Sequence, residues 1–106
     1  MGATHTPSAV AGRDEAVEAL ADEGAPAPRF WGNGPGDRYG RHAHEYHKVL
    51  FCLDGSIVFT VQGADIRLAA GDRLDLPPGT EHSAVVGADG CECVEGSLDS
   101  SPGPGR

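Results

Sequence analysis

Three histidines, at two places in the chain, have the spacing of a metal site. His42-Ala43-His44 lies just ahead of a β-like apolar run, and His82 follows the turn sequence Pro77-Pro78-Gly79. Isolated histidines are ordinary polar strand residues, so the spacing carries the reading. Alternation puts residues i and i+2 of an extended segment on one face, which lets His42 and His44 point into one cavity. His82, leaving its turn, can complete a facial set of three. Neutral imidazoles bind divalent transition metals at roughly 2.0–2.2 Å, and a set of three leaves positions open for water or substrate. Fe, Zn, Ni, Mn and Cu all suit such a set.

Lys48, the chain's single lysine, falls two pleats beyond His44 on the same face. An ammonium about 5 Å from a divalent cation is opposed by roughly 7 kcal/mol at an effective dielectric near 20. Three outcomes are open. Lys48 can swing to the mouth and pair with Glu45 or an acidic substrate, it can be neutral and act as base or nucleophile, or the metal can be absent. Tyr46 points inward by the same alternation and can donate a hydrogen bond to a bound anion. Lys48 and Tyr46 are therefore the candidate catalytic residues. His47 faces the other way, with Val49 and Phe51, and reaches the metal as a fourth ligand only through a β-bulge near Glu45-Tyr46. Cys91-Glu92-Cys93 puts two thiols on one strand face, a weak metal signal without a second ligand pair. Cys52 packs inward as a small hydrophobe.

The elements that must position these groups are mostly strands. A short helix is expected from Asp14 to Glu23, stopped by Gly24 and lying on the sheet through Val17 and Leu20. Arg29-Phe30-Trp31 reads as a short strand, and Gly32 to Asp37 as a loop. Lys48 to Leu53 and Ser56 to Val61 read as a hairpin joined at Asp54-Gly55. That register puts Lys48, Leu50, Cys52, Ile57, Phe59 and Val61 on the inner face, and Val49, Phe51, Leu53 and Val58 on the outer. Further strands follow at Ile66 to Leu68, Arg73 to Leu76, His82 to Val86 and Cys91 to Glu95. Many short strands with turns between them indicate an all-β barrel or jelly roll with a short N-terminal helix.

The expected organisation is a disordered N-terminus over 1–12, a helix and linker over 13–28, a barrel over 29–96 and a disordered tail over 97–106. A net charge of −8, with seven arginines scattered along the chain, argues against nucleic acid and anionic membrane surfaces as partners. Three cysteines do not suggest a disulfide framework. No stretch approaches the roughly 18 apolar residues of a membrane span, and the N-terminus lacks a basic start followed by an apolar run. A soluble, cytoplasmic protein is expected. Small barrels often bury a sheet edge against a twin, so a homodimer is expected too.

Gly36, His42, His44 and Gly55 stand at the spacing Gly-x5-His-x-His-x10-Gly, and Gly71, Pro77, Gly79 and His82 at Gly-x5-Pro-x-Gly-x2-His. Over about Phe30 to Glu95 the chain resembles the cupin superfamily, in particular small single-domain bacterial cupins to which no reaction is attached. The resemblance implies a small β-barrel with a metal on His42, His44 and His82 and a small-molecule ligand. It leaves the chemistry open between a dioxygenase, an isomerase, a hydrolase and a non-catalytic binding barrel. Two positions depart from the family pattern. Lys48 stands where a carboxylate ligand is usual, and Val86 where asparagine is frequent.

Overall fold

A computed structural model describes residues 2–98. In chain order the elements are β1 (Thr4–Thr6), α1 (Arg13–Asp22), β2 (Arg29–Asn33), β3 (Arg38–His42), β4 (His47–Val61), β5 (Ala64–Ala69), β6 (Arg73–Leu76) and β7 (His82–Leu98). The seven strands form one antiparallel sheet in the order β1-β6-β4-β7-β2, with β3 also on β7 and β5 also on β4. β4 and β7 pair along their whole length, from His47 opposite Leu98 to Val61 opposite His82. The other edge of β4 is divided: β6 covers Lys48 to Phe51, and β5 covers Ser56 to Val61.

That division corrects the hairpin expected at Asp54-Gly55. Both residues lie inside β4, where the strand leaves β6 and joins β5, and its register with β7 slips on either side of them. The tight turn is at Gln62-Gly63, where both φ values are positive and Val61 faces Ala64. An Asp-Gly pair suits a turn or a bulge equally, because each needs a residue at positive φ. The inner and outer faces nevertheless come out as expected. An extra bulge residue shifts alternation by one, which returns Cys52 and Ile57 to the same side. Leu50, Cys52, Ile57, Phe59 and Val61 share the barrel core, while Val49 and Phe51 form the outer cluster with α1.

Gly55 has φ +71, and a Cβ there would collide with the Gly90 carbonyl. Gly36 has φ +78 and open space around it. Gly55→Ala is expected to cost about 3 kcal/mol or more, and Gly36→Ala about 1 kcal/mol, measured by urea unfolding. Equal costs would remove the bend from the list of essential features.

α1 begins one residue earlier than expected and ends at Asp22. It rests on the sheet through Ala16 and Leu20, both fully buried, rather than through Val17. The seat is made by Gly96, where a Cβ would press on Ala25 and Leu20. Arg73 reaches across from β6 to hold Glu23 at 2.6 and 2.7 Å.

The N-terminal stretch, expected to be disordered, is ordered from residue 2. β1 pairs with β6, and the Ala9 and Val10 N–H groups donate to the Gly71 carbonyl. Asp72 anchors it, accepting from the Ser8 and Ala69 N–H groups at 3.0 Å and lying 3.1 Å from His5 Nε2. Burial pushes the Asp72 carboxyl upward, but these donors outweigh it and hold it below the usual range. A depressed carboxylate stabilises the fold above its unfolded pKa of about 3.9 and loses that contribution as pH falls through the lower folded value. Hydrogen exchange should therefore show Ser8 deprotecting ahead of the barrel in acid, and Asp72→Asn should remove the difference. Of the tail expected over 97–106, Ser97 and Leu98 complete β7. Residues 99–106, like Met1, lie outside the described residues.

Candidate metal centre

His42 is the last residue of β3, His44 lies in the connection to β4, and His82 opens β7. His42 and His44 are thus not on one strand, as alternation implied, yet they converge. β7 pairs His82 with His42 on one side and with Val61 of β4 on the other. The Gly79 N–H donates to the His44 carbonyl at 2.7 Å, fastening the His44 segment to the Pro77–Gly79 turn. Ring centroids are 4.3 Å apart for His42 and His82, 4.9 Å for His42 and His44, and 5.4 Å for His44 and His82. One ring nitrogen from each lies within 4.8 Å of the others.

Hydrogen bonds set the tautomers. His42 Nδ1 lies 2.7 Å from the Gly40 carbonyl, and His82 Nδ1 lies 2.9 Å from the Thr80 carbonyl. A carbonyl only accepts, so each Nδ1 carries a proton, and in the neutral ring Nε2 is left with its lone pair. The Nε2 atoms of His44 and His82 are buried without a hydrogen-bond partner. An unpaired buried nitrogen is costly, and two in one cluster call for a ligand. Burial lowers the His44 and His82 pKa values, with Lys48 and the neighbouring imidazoles adding to the effect. Both rings are accordingly neutral near pH 7, the form that binds metal. The residues present fit a divalent transition metal.

The histidines open into a cavity of about 250 Å³, also lined by Trp31, Tyr39, Tyr46, Lys48, Phe59 and Glu95. Tyr46 stacks on His44 at 4.8 Å. Lys48 is buried, and its Nζ lies 3.1 Å from Glu95 Oε1. The Trp31 Nε1–H donates to the same oxygen at 2.8 Å. Trp31 meets Tyr39 edge-on, and the Tyr39 hydroxyl donates to Asn33 Oδ1.

A cupin-domain family model matches residues 30–94, more than half of the chain. The chain belongs to the cupin family. Among curated proteins, this cupin is 44% identical over 52 residues to quercetin 2,3-dioxygenase of Bacillus subtilis (strain 168), covering 47% of the chain and 15% of that enzyme. It is 31% identical over 68 residues to the dimethylsulfoniopropionate lyase DddW of Ruegeria pomeroyi, covering 64% of the chain and 45% of the lyase. The chain therefore spans less than half the length of either relative. Among solved structures, an RmlC-like cupin from Shewanella frigidimarina superposes with a TM-score of 0.61 at 26% identity, over 66% of this chain and 62% of that one.

The cupin places His42, His44, His82, Lys48 and Tyr46 around one cavity. It leaves His47 outside, where His47 Nε2 lies 3.0 Å from Asp75 on the opposite face. Lys48 takes neither Glu45 nor the barrel mouth. Its partner is Glu95, a residue the sequence reading placed on a strand and passed over. The signal was there: Cys91, Cys93 and Glu95 alternate along β7, a lone carboxylate on an apolar inner face. The Cys91-x-Cys93 pair packs in the core. Burial pushes the Cys91 thiol up, and a hydrogen bond with Cys52 together with burial does the same to Cys93. These are packing thiols rather than ligands.

Proposed function

We propose that this cupin holds a divalent transition metal on the Nε2 atoms of His42, His44 and His82 and acts on a small organic acid bound beside it. The observation that carries the reading is the pair of buried, unpartnered Nε2 atoms on His44 and His82. When bound, the metal supplies a Lewis acid and a site where water or an acidic substrate group ionises more readily. The chain's own residues do the rest. Lys48 offers an ammonium to the substrate carboxylate, a charge-assisted contact. Tyr46, stacked on His44, borders the same space and orients the substrate. Phe59 and Ala84 form an apolar wall that limits water around the reacting groups.

Two observations favour a small acid. The cavity lies below the roughly 300–1,000 Å³ typical of sites for drug-sized ligands, so a compact metabolite fits better than a polycyclic one. One relative is named for acting on a propionate, a small carboxylate. Lewis-acid elimination or isomerisation of such an acid and oxygen-dependent cleavage are both within reach of the site. Incubating the metal-loaded protein with a panel of short carboxylic acids, with and without oxygen, and following each by NMR separates these reactions. Lys48→Met should weaken acid binding by about tenfold or more. Acids that bind without being consumed would make the barrel a binding module instead.

A further inference from the structure

A lysine where the family places a ligand carboxylate is electrostatically wrong for a metal site, and β7 supplies the remedy. Glu95 faces Leu50 across the β4–β7 ladder, so its side chain enters the cavity one pleat from Lys48. Both side chains are nearly closed to solvent, at 11% exposure for Lys48 and 9% for Glu95. Little water is present to screen either charge. The Trp31 indole fixes Glu95 Oε1 at 2.8 Å, and Trp31 is itself braced on Tyr39. Arg29 approaches the other oxygen at 3.5 Å but is 79% exposed, so it contributes little.

We propose that Glu95 is the displaced carboxylate of this centre: a positioning residue that neutralises Lys48, so that the metal meets the pair as a unit without net charge. The inference rests on the three-histidine metal reading. Glu95 is not a ligand in this account, since the cluster of atoms close enough to share an ion consists of the three imidazoles alone among the described residues. Its role is to cancel the ammonium while leaving that ammonium available to an incoming acid. Substrate binding and metal binding would otherwise be in conflict, because the cation that attracts a carboxylate also repels a metal.

Zn(II) affinity measured by chelator competition on the full chain tests this, with metal-free melting curves to check folding. Glu95→Gln keeps the Trp31 hydrogen bond but removes the charge, and should weaken Zn(II) binding by about tenfold or more. Lys48→Met leaves Glu95 uncompensated and should strengthen binding by a similar factor. The double variant should return to within about threefold of wild type, because the two effects cancel. A merely structural ion pair would lower the melting temperature in both single variants and leave Zn(II) affinity where it was, which overturns the proposal. A double variant as weak as Glu95→Gln would also overturn it, by making Glu95 a direct ligand. Should Glu95→Gln fail to fold, unchanged affinity in Lys48→Met is sufficient to reject the pairing. A wild type that binds none of Fe(II), Mn(II), Ni(II), Cu(II) and Zn(II) removes the metal reading itself, a different failure from variants of unchanged affinity on a wild type that binds.

Discussion

Replacing His82 with alanine is expected to abolish stoichiometric metal binding while leaving the barrel folded. His82 is the most buried of the three histidines, at 2% exposure, and its ring is held by the Thr80 carbonyl on one nitrogen and free on the other. The substitution removes one of three donors and the one whose orientation is best fixed. Losing one well-supported ligand or its support commonly costs ten- to a hundredfold or more in affinity, about 1.4–2.7 kcal/mol. The fold should survive because β7 keeps its backbone pairing on both sides and a buried unpaired nitrogen is removed at the same time. Titration with Fe(II) or Zn(II) and a melting curve on the same sample provide the check. A variant that binds as tightly as wild type would exclude His82 as a ligand. His42→Ala should act more weakly, since His42 is exposed to solvent.

Lys48→Glu is expected to raise the affinity for divalent metals by about a hundredfold or more. The change replaces a cation with an anion in the cavity that the three imidazoles face. The sign follows from Coulomb's law, and the size is bounded by Glu95, which already cancels part of the lysine charge. Without metal, the new carboxylate would lie against Glu95, and two carboxylates in a nearly closed site retain a proton between them. Metal binding to the variant should therefore release more protons than binding to wild type, a difference calorimetry in buffers of different ionisation enthalpy can read. Affinity left unchanged would place the Lys48 ammonium beyond electrostatic reach of the imidazoles.

How much of this was legible in the sequence depended on whether a local rule governed each residue. The three histidines stand at fixed offsets from Gly71, Pro77, Gly79 and Gly55, and residues of turns and bulges fix such offsets independently of distant packing. The inner and outer faces of β4 were readable because a two-residue turn and a one-residue bulge at this place both return Cys52 and Ile57 to one side. The bulge itself was not, since Asp54-Gly55 meets the backbone requirement of a hairpin equally well. β1 and β3 were missed for a shared reason. Thr4-His5-Thr6 and Arg38-Tyr39-Gly40-Arg41-His42 are short and mostly exposed, and they form strands because β6 and β7 present edges to them. The Lys48–Glu95 pair depends on contact between residues 47 positions apart. Sequence supplies each charge but not the pairing.

The central claim is that His42, His44 and His82 form a working metal site despite the lysine. Elemental analysis of wild-type protein, purified without chelator and then loaded with Fe(II), Mn(II), Ni(II), Cu(II) or Zn(II) in turn, tests it most directly. The account predicts one ion per chain for at least one of these metals, lost in His82→Ala. Absence of stoichiometric metal under every loading condition, from a protein that melts cooperatively, would contradict it.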